Sequence, residues 1–178
     1  QERPSVWARF RGVLGTLLVL LAAPLLAFVL TAFVFQSYVV EGQSMESTLH
    51  HQDRLLVYKL PSTLARSRGQ TYLPARGDII VFTQTGLLTD PTKSEQLVKR
   101  VVGLPGDKVV IKDSSVTLYN EQNPKGFNPD LSHGWGQLAQ STPGSLEVTV
   151  GLGEVFVLGD NRSNSRDSRE FGPVATKH

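Results

Sequence analysis

Residues 13–35 read VLGTLLVLLAAPLLAFVLTAFVF, an uncharged stretch whose only polar side chains are Thr16 and Thr31. At about 1.5 Å of rise per residue, a helix of this length spans roughly 35 Å, which exceeds the ~30 Å hydrocarbon core of a bilayer. The stretch therefore predicts one transmembrane helix, with a kink at Pro24 that membrane helices tolerate. A buried helix of a soluble domain and a cleaved secretory signal are the alternatives. The uncharged stretch is longer than is usual for a buried helix of a soluble domain or for the apolar core of a secretory signal. No good small-residue cleavage site follows it.

Basic residues are distributed unequally around this stretch. Arg3, Arg9 and Arg11 precede it, whereas Arg54 is the only Lys or Arg between positions 36 and 55. Because basic residues favour the cytoplasmic side, we expect a cytoplasmic N-terminus and an extracytoplasmic remainder, in a cell membrane or alternatively a thylakoid membrane. The predicted divisions are a tail at 1–12, a membrane anchor at 13–35 and a β-rich domain at 37–178.

Beyond the anchor, the sequence consists of short runs rich in β-branched and aromatic residues, separated by Gly, Pro, Asp and Asn. This pattern predicts a mainly β, barrel-like extracytoplasmic domain. The predicted strands are 38–40, 54–59, 78–83, 96–103, 108–112, 116–119, 145–150 and 154–158. Two polar segments, 66–76 and 120–143, predict surface loops, the second as an insertion.

Composition excludes several classes of protein. The chain has 18 Lys and Arg against 16 Asp and Glu, so it lacks the strong positive charge typical of nucleic-acid binding. It contains no cysteine, which excludes disulfides and thiolate metal sites. We predict no metal and no other cofactor. The first residue is Gln rather than Met, so we expect the natural start to lie upstream, and the C-terminus to be clipped as well.

Ser44 lies in a segment of small residues shortly after the anchor, where positions 41–49 read EGQSMESTL. Gly42 lets the backbone approach a substrate closely. Similar residues also form ordinary turns, so this segment alone is weak support for a nucleophilic serine.

Lys99 lies in an apolar strand pattern, where positions 96–107 read QLVKRVVGLPGD. Because side chains alternate along a strand, Lys99 and Arg100 face opposite sides. A lysine on a covered face loses hydration, which lowers the pKa of its amine and lets the neutral amine take a proton from a hydroxyl. Arginine stays charged. The pattern thus indicates Lys99 as a candidate base and Arg100 as a structural cation, with an edge-strand lysine that opposes aggregation as the alternative.

A polar segment follows the last apolar strand, and positions 157–172 read VLGDNRSNSRDSREFG. Asx turns and Arg–carboxylate pairs can lock such a loop and hold hydroxyls near a lysine. The alternatives are a solvated loop and a loose cation site through Asp160 and Asp167. The spacing of a calcium loop is missing.

Taken in order after an N-terminal anchor, these segments resemble the type I signal peptidase family, serine proteases with a Ser–Lys dyad. The matching segments are 42–49 for the nucleophile box, 77–82 for a preceding strand, 99–107 for the lysine box, and 159–162 with 165–169 for the last box. The similarity spans residues 13–174. It implies the β-barrel-like fold shared by signal peptidases and repressor proteases.

The resemblance implies a role for each matched residue. Ser44 would attack the scissile carbonyl, and Lys99 would act as general base and then as general acid. Ser165 would hydrogen-bond the Lys99 amine and orient it. The residues implied to support this loop are Asp160, Arg162, Asp167 and Arg169, with the last two paired. The Ser44 backbone N–H would hold the oxyanion.

Two positions depart from the family pattern. Some members have a serine hydroxyl, a second oxyanion donor, where this chain has Gly42, so that donor must come from elsewhere. Ser47 replaces the usual proline, and the loss of a fixed φ could loosen the nucleophile box.

The resemblance also implies the partners: exported preproteins that still carry signal peptides, and the lipid bilayer. Small side chains would fill shallow subsites one and three residues before the cut. Four apolar residues near the catalytic positions are candidates for these subsites, with plain core packing as the alternative: Val40, Met45, Leu49 and Val98. A Ser–Lys pair predicts activity that increases toward alkaline pH.

Other interpretations fit less well. His50 and His51 are near Ser44 in sequence, but no acidic residue is placed to orient either. An acyl enzyme of the Ser-x-x-Lys type would need lysine where Ser47 stands. A self-cleaving repressor protease would share the dyad but not the membrane span. A catalytically inactive membrane-tethered binding module would keep the fold without the dyad.

Overall fold

A computed structural model describes residues 6–87, 90–132 and 141–176. Part of the predicted tail, including Arg3, and part of the predicted 120–143 insertion therefore lie outside the described residues. Helix α1 (Val6–Val29) continues as a π-helical turn, Leu30–Val34. The span Gly12–Val34 is long and apolar enough to cross a membrane, and the protein buries none of it.

Within the described residues, ten strands follow this helix. They are β1 (Phe35–Val39), β2 (Arg54–Tyr58), β3 (Ile79–Leu87), β4 (Asp90–Gly103), β5 (Lys108–Lys112), β6 (Ser115–Asn120), β7 (Asn123–Phe127), β8 (Leu146–Thr149), β9 (Glu154–Leu158) and β10 (Val174–Ala175). They pair antiparallel into three sheets, ordered β1-β2, β10-β9-β4-β3 and β7-β6-β5-β8. The prediction of a mainly β fold with one N-terminal apolar helix is confirmed, whereas closure into a barrel stays a prediction.

Strand β9 lies between two apolar clusters and is buried on both faces. Phe156 and Leu158 pack into the cluster formed mainly by β5 and β6, and Val155 and Val157 pack into a second cluster. Side chains on a strand alternate between faces, which places neighbouring residues in different clusters. The polar loop after β9 therefore starts from a strand whose last four residues are buried.

The predicted loop at 120–143 is partly wrong, because it contains β7 and a short helix, α3 (Pro129–Ser132). The composition of β7 is polar, but Leu118 pairs with Phe127 and Asn120 with Asn123 across the β6–β7 ladder. Tertiary pairing overrides weak strand propensity here. Gly126 is required at φ 78°, since a Cβ there would lie 2.6 Å from the Tyr119 ring.

A further helix, α2 (Leu60–Ser67), was not predicted from the sequence and directly follows β2. Its first turn contains Pro61, a position where proline is tolerated because the first helical N–H groups have no intrahelical partner. The segment 68–76 has no helix or strand, in agreement with the predicted loop at 66–76 beyond the end of α2.

Candidate active site

Ser44 and Lys99 come together although 55 positions separate them in the sequence. Ser44 lies in the turn after β1, and Lys99 lies on β4. The Lys99 Nζ is 2.7 Å from Ser44 Oγ and also donates to the Val98 carbonyl at 2.8 Å. A nucleophile and a base within 2.6–3.2 Å have the geometry needed for proton transfer.

The Lys99 side chain is nearly removed from solvent, with 2% of its surface exposed. Burial lowers the pKa of Lys99 to about 8, whereas the nearby carboxylates of Asp167 and Asp160 oppose this and Arg166 adds to it. Desolvation disfavours the ammonium, so a substantial fraction of the amine is neutral near physiological pH. This environment differs from that of an exposed edge-strand lysine.

The turn that carries Ser44 is bound to the loop after β9. The Asn161 N–H donates to the Ser44 carbonyl at 3.1 Å, and Asn161 Nδ2 donates to the Gln43 carbonyl at 3.1 Å. Gly159 allows this close approach, because a Cβ there would lie 2.5 Å from the Ser44 carbonyl oxygen and 2.1 Å from Ser165 Oγ. Sequence analysis gave no role to Asn161.

Arg100, on the opposite face of β4 from Lys99, anchors the same loop. Its Nε and Nη2 donate to Asp160 at 2.8 and 2.6 Å, and its Nη1 donates to the Gly77 carbonyl at 2.9 Å. The Thr48 hydroxyl also donates to Asp160, at 2.6 Å. Asp160 therefore links the turn that carries Ser44 to β4, and Thr48 restrains the turn that Ser47 was expected to loosen.

Arg162 forms a second buried pair, with a different carboxylate. Its guanidinium binds Asp130 through two hydrogen bonds of 2.9 and 2.6 Å, and it donates to Thr142 Oγ1 at 2.6 Å and to the Gly159 carbonyl at 3.1 Å. Asp130 and Thr142 lie in the predicted insertion, so this segment supports the loop rather than forming a separate surface feature. No local sequence signal pairs Arg162 with Asp130.

Asp167 and Arg169 pair as the resemblance implies. Arg169 donates to both carboxylate oxygens of Asp167 at 2.8 Å. The fully buried Asp167 also accepts from the Gly159 N–H at 3.0 Å and caps the short helix α4 (Ser168–Phe171). Its carboxylate thus connects both ends of the loop that faces Lys99.

The expected hydrogen bond between Ser165 and Lys99 is not formed. Among the described residues, the buried Ser165 hydroxyl has no hydrogen-bond partner. The Lys99 amine is directed instead at Ser44 and the Val98 carbonyl. Ser165 Oγ lies against Gly159, beside the Ser44 carbonyl. An unpaired buried hydroxyl is unfavourable, so its position at this site calls for a functional explanation.

The four candidate subsite residues differ in exposure. Val40 and Met45 are 4% and 1% exposed, which agrees with the core-packing alternative. Leu49 and Val98 are half-buried and keep accessible surface near the Ser44–Lys99 pair.

The two histidines near Ser44 are engaged elsewhere. His51 Nδ1 accepts from the Gly42 N–H at 3.2 Å, and its Nε2 is 3.2 Å from Gln52 Nε2. His50 is 3.7 Å from Asp53 on the exposed surface. In the ranges that the structure covers, no three His, Asp or Glu side chains are grouped as metal ligands.

Comparison with known proteins decides the family. The family model described as "Signal peptidase, peptidase S26" matches residues 13–178. The chain belongs to this family. The sequence resemblance is thereby confirmed, and this signal peptidase family member is a serine peptidase.

Two relatives that are more than 30% identical in sequence agree with this assignment. Signal peptidase I from Bacillus licheniformis is 33% identical over 151 residues, covering 84% of this chain and 74% of that protein. Signal peptidase I from Bacillus caldolyticus is 37% identical over 144 residues, covering 77% of this chain and 70% of that protein. A crystal structure of a signal peptidase I from Enterococcus faecalis is 28% identical, with a TM-score of 0.42, and covers 60% of this chain and 93% of that chain.

Proposed function

We propose that this chain is a membrane-bound serine endopeptidase that removes N-terminal signal peptides from exported preproteins. The observation that carries this proposal is the 2.7 Å contact between Lys99 Nζ and Ser44 Oγ, with the lysine 2% exposed. The names of the relatives, signal peptidase I, support the choice of substrate.

The neutral Lys99 amine takes the proton of Ser44 while the serine oxygen attacks the scissile carbonyl carbon. The lysine ammonium then protonates the leaving amine, which frees the mature protein and leaves an acyl–Ser44 ester. In the second half, Lys99 takes a proton from water, which attacks the ester carbonyl. The lysine ammonium returns this proton to Ser44 Oγ as the ester bond breaks, which releases the signal peptide and restores the free enzyme. The same group serves as base and acid because its pKa lies near the working pH.

The Ser44 backbone N–H is the proposed donor to the developing oxyanion. Gly42 supplies no hydroxyl, so a second donor comes from backbone or water. Loss of one such donor typically costs about 3–4 kcal/mol of transition-state stabilisation. The bond from Asn161 Nδ2 to the Gln43 carbonyl supports this role, because that carbonyl and the Ser44 N–H belong to the same planar peptide group.

We propose that the loop after β9 holds the Ser44 and Lys99 side chains in their relative positions. Asp160 and Arg162 act through their partners Arg100 and Asp130, while Asp167 pairs with Arg169. A positioning role of Ser165 toward the Lys99 amine rests on the family resemblance alone, since its buried hydroxyl lies beside Gly159 without a hydrogen bond to that amine. Leu49 and Val98 are the better of the four subsite candidates, because Val40 and Met45 offer almost no surface to a substrate.

The apolar helix supports a membrane-bound arrangement. Residues 13–35 would anchor the chain, residues 1–12 would stay in the cytoplasm, and residues 37–178 would form the extracytoplasmic catalytic domain. Tethering enzyme and substrate to one bilayer raises their effective concentration.

Cleavage of a preprotein in detergent tests the proposal. The wild type is expected to release mature protein, and Ser44→Ala and Lys99→Ala to lose at least a thousandfold in rate. Ser145→Ala, at an exposed serine just before β8, is the matched control and should keep wild-type activity. Equal cleavage by wild type and both site variants would contradict the proposal.

A further inference from the structure

Three successive carbonyl groups at the end of the membrane helix are bound by residues of the following domain. Lys59 Nζ donates to the Ala32 carbonyl at 3.1 Å, and Thr63 Oγ1 donates to the Phe33 carbonyl at 3.1 Å. The Lys59 backbone N–H donates to the Val34 carbonyl at 2.7 Å. We use the name helix-exit joint for the five residues that form these bonds: Ala32, Phe33, Val34, Lys59 and Thr63.

Physical chemistry explains why these contacts hold firmly. The last carbonyls of a helix have no intrahelical partner, and a cation is favoured beside them. Lys59 supplies two donors and a positive charge, and it also donates to the Gln36 side chain at 3.1 Å. The contacts fix both the distance and the rotation between helix and domain.

The donors of the joint are themselves held by rigid elements. Lys59 lies between the end of β2 and the start of α2, and it is the N-cap residue of that helix. Its carbonyl accepts from the Thr63 N–H at 2.9 Å and from the Ser62 hydroxyl at 2.8 Å. The joint therefore couples the membrane helix to β2 and α2 together.

No flexible linker separates the joint from the nucleophile turn. Strand β1 begins at Phe35, immediately after the π-helical turn, and pairs with β2 over its whole length. Beyond the strands, the Val40 N–H donates to the Asp53 carbonyl and the Gln52 N–H donates to the Val40 carbonyl, each at 2.9 Å. Five strand residues at about 3.3 Å each then set a fixed spacing of roughly 17 Å along β1.

We propose that the helix-exit joint is a specificity determinant that selects the position of the cut. The inference rests on the proposed function. A signal peptide is held in the bilayer by its apolar segment, so its residues reach defined heights above the membrane. With Ser44 held at one height, only peptide bonds in a narrow window reach it. A second peptide bond a few residues further from the membrane, with equally small flanking side chains, is not cleaved because it lies above the height of Ser44.

A preprotein with two identical cleavage sequences, five residues apart, tests this proposal. Full-length enzyme and substrate are reconstituted in phosphatidylethanolamine–phosphatidylglycerol vesicles, and mass spectrometry of the mature N-termini gives the ratio of the two cuts. The double variant Lys59→Met/Thr63→Val removes two side-chain donors of the joint. Its cut ratio is expected to move at least fivefold toward even use of both sites.

The matched control is Lys112→Met/Thr149→Val, which makes the same exchanges at exposed positions on β5 and β8. A short soluble peptide spanning the cleavage sequence, cut in detergent, measures the active site alone, and all variants should cut it within about twofold of wild type. An unchanged ratio in the joint variant overturns the proposal. If wild type cuts neither substrate, the proposed function fails and the inference falls with it.

Misfolding of the double variant would appear as loss of cleavage of the short peptide. In that case the ratio is measured in Thr63→Val alone, which exchanges side chains of similar volume. There a shift of at least twofold in the same direction supports the joint as a determinant, and a wild-type ratio overturns it.

Discussion

Lys99 is the residue whose titration should govern the rate. Burial lowers its pKa to about 8, so the ammonium dominates below that pH and the neutral amine above it. Because the general base must be neutral, kcat/KM should increase about tenfold per pH unit below 8 and level off above it. The profile is measured with a short peptide between pH 6 and 10. A flat profile down to mildly acid pH would contradict the role of Lys99.

Removing the charge of Arg166 tests whether the pKa of Lys99 sets the pH dependence of kcat/KM. The positive charge of Arg166 lowers the pKa of Lys99, and its own partners, Glu95 and Glu170, are partly exposed. Arg166→Gln should raise the pKa of Lys99 and move the midpoint to higher pH. Lys112→Gln, at an exposed position on β5, serves as control and should leave the midpoint in place.

At the scale of elements, the loop after β9 is held by carboxylate–guanidinium pairs to two different parts of the chain. Arg100 on β4 binds Asp160, and Asp130 on α3 binds Arg162. Each pair is buried and doubly hydrogen-bonded, which restrains the loop beside Lys99. Removing one partner would leave a buried, uncompensated charge.

Asp130→Ala is expected to lower the free energy of unfolding by about 3–5 kcal/mol, because the Arg162 guanidinium would remain buried without its carboxylate. Arg162 and Asp130 are 3% and 4% exposed. Chemical denaturation of the full chain in detergent measures the loss. The control is Glu147→Ala, which breaks the exposed Lys108–Glu147 pair and should cost less than about 1 kcal/mol. Equal losses in both variants would show that burial does not set the cost.

Local alternation predicted most of the strands, and it placed Lys99 and Arg100 on opposite faces of one of them without showing which face is covered. The Ser44–Lys99 contact was expected only from the resemblance to the family's sequence boxes. The Arg162–Asp130 pair was not predictable in this way, because it depends on a tertiary approach across 32 positions. Strand β7 was not predicted for the same reason, because its polar residues form a strand only by pairing with β6.

The whole molecule consists of an apolar helix that meets a β domain with no linker between them. If the helix spans a bilayer as proposed, the helix-exit joint would make the height of the candidate active site depend on how the helix lies there. The proposed specificity and the proposed topology therefore depend on the same structural feature. If the helix did not span the membrane, the joint could not hold Ser44 at a fixed height above it.

Cysteine labelling tests the topology, and the chain contains no cysteine of its own. Ser5→Cys marks the predicted cytoplasmic tail, and Ser145→Cys marks an exposed position before β8. Because basic residues precede the helix, a membrane-impermeant maleimide added to spheroplasts should label the second variant and spare the first. Detergent-solubilised samples, in which both variants should react, are the control. Labelling of Ser5→Cys in intact spheroplasts would mean that the helix is inverted or does not span. In either case Ser44 would not face preproteins as they emerge on the outer surface.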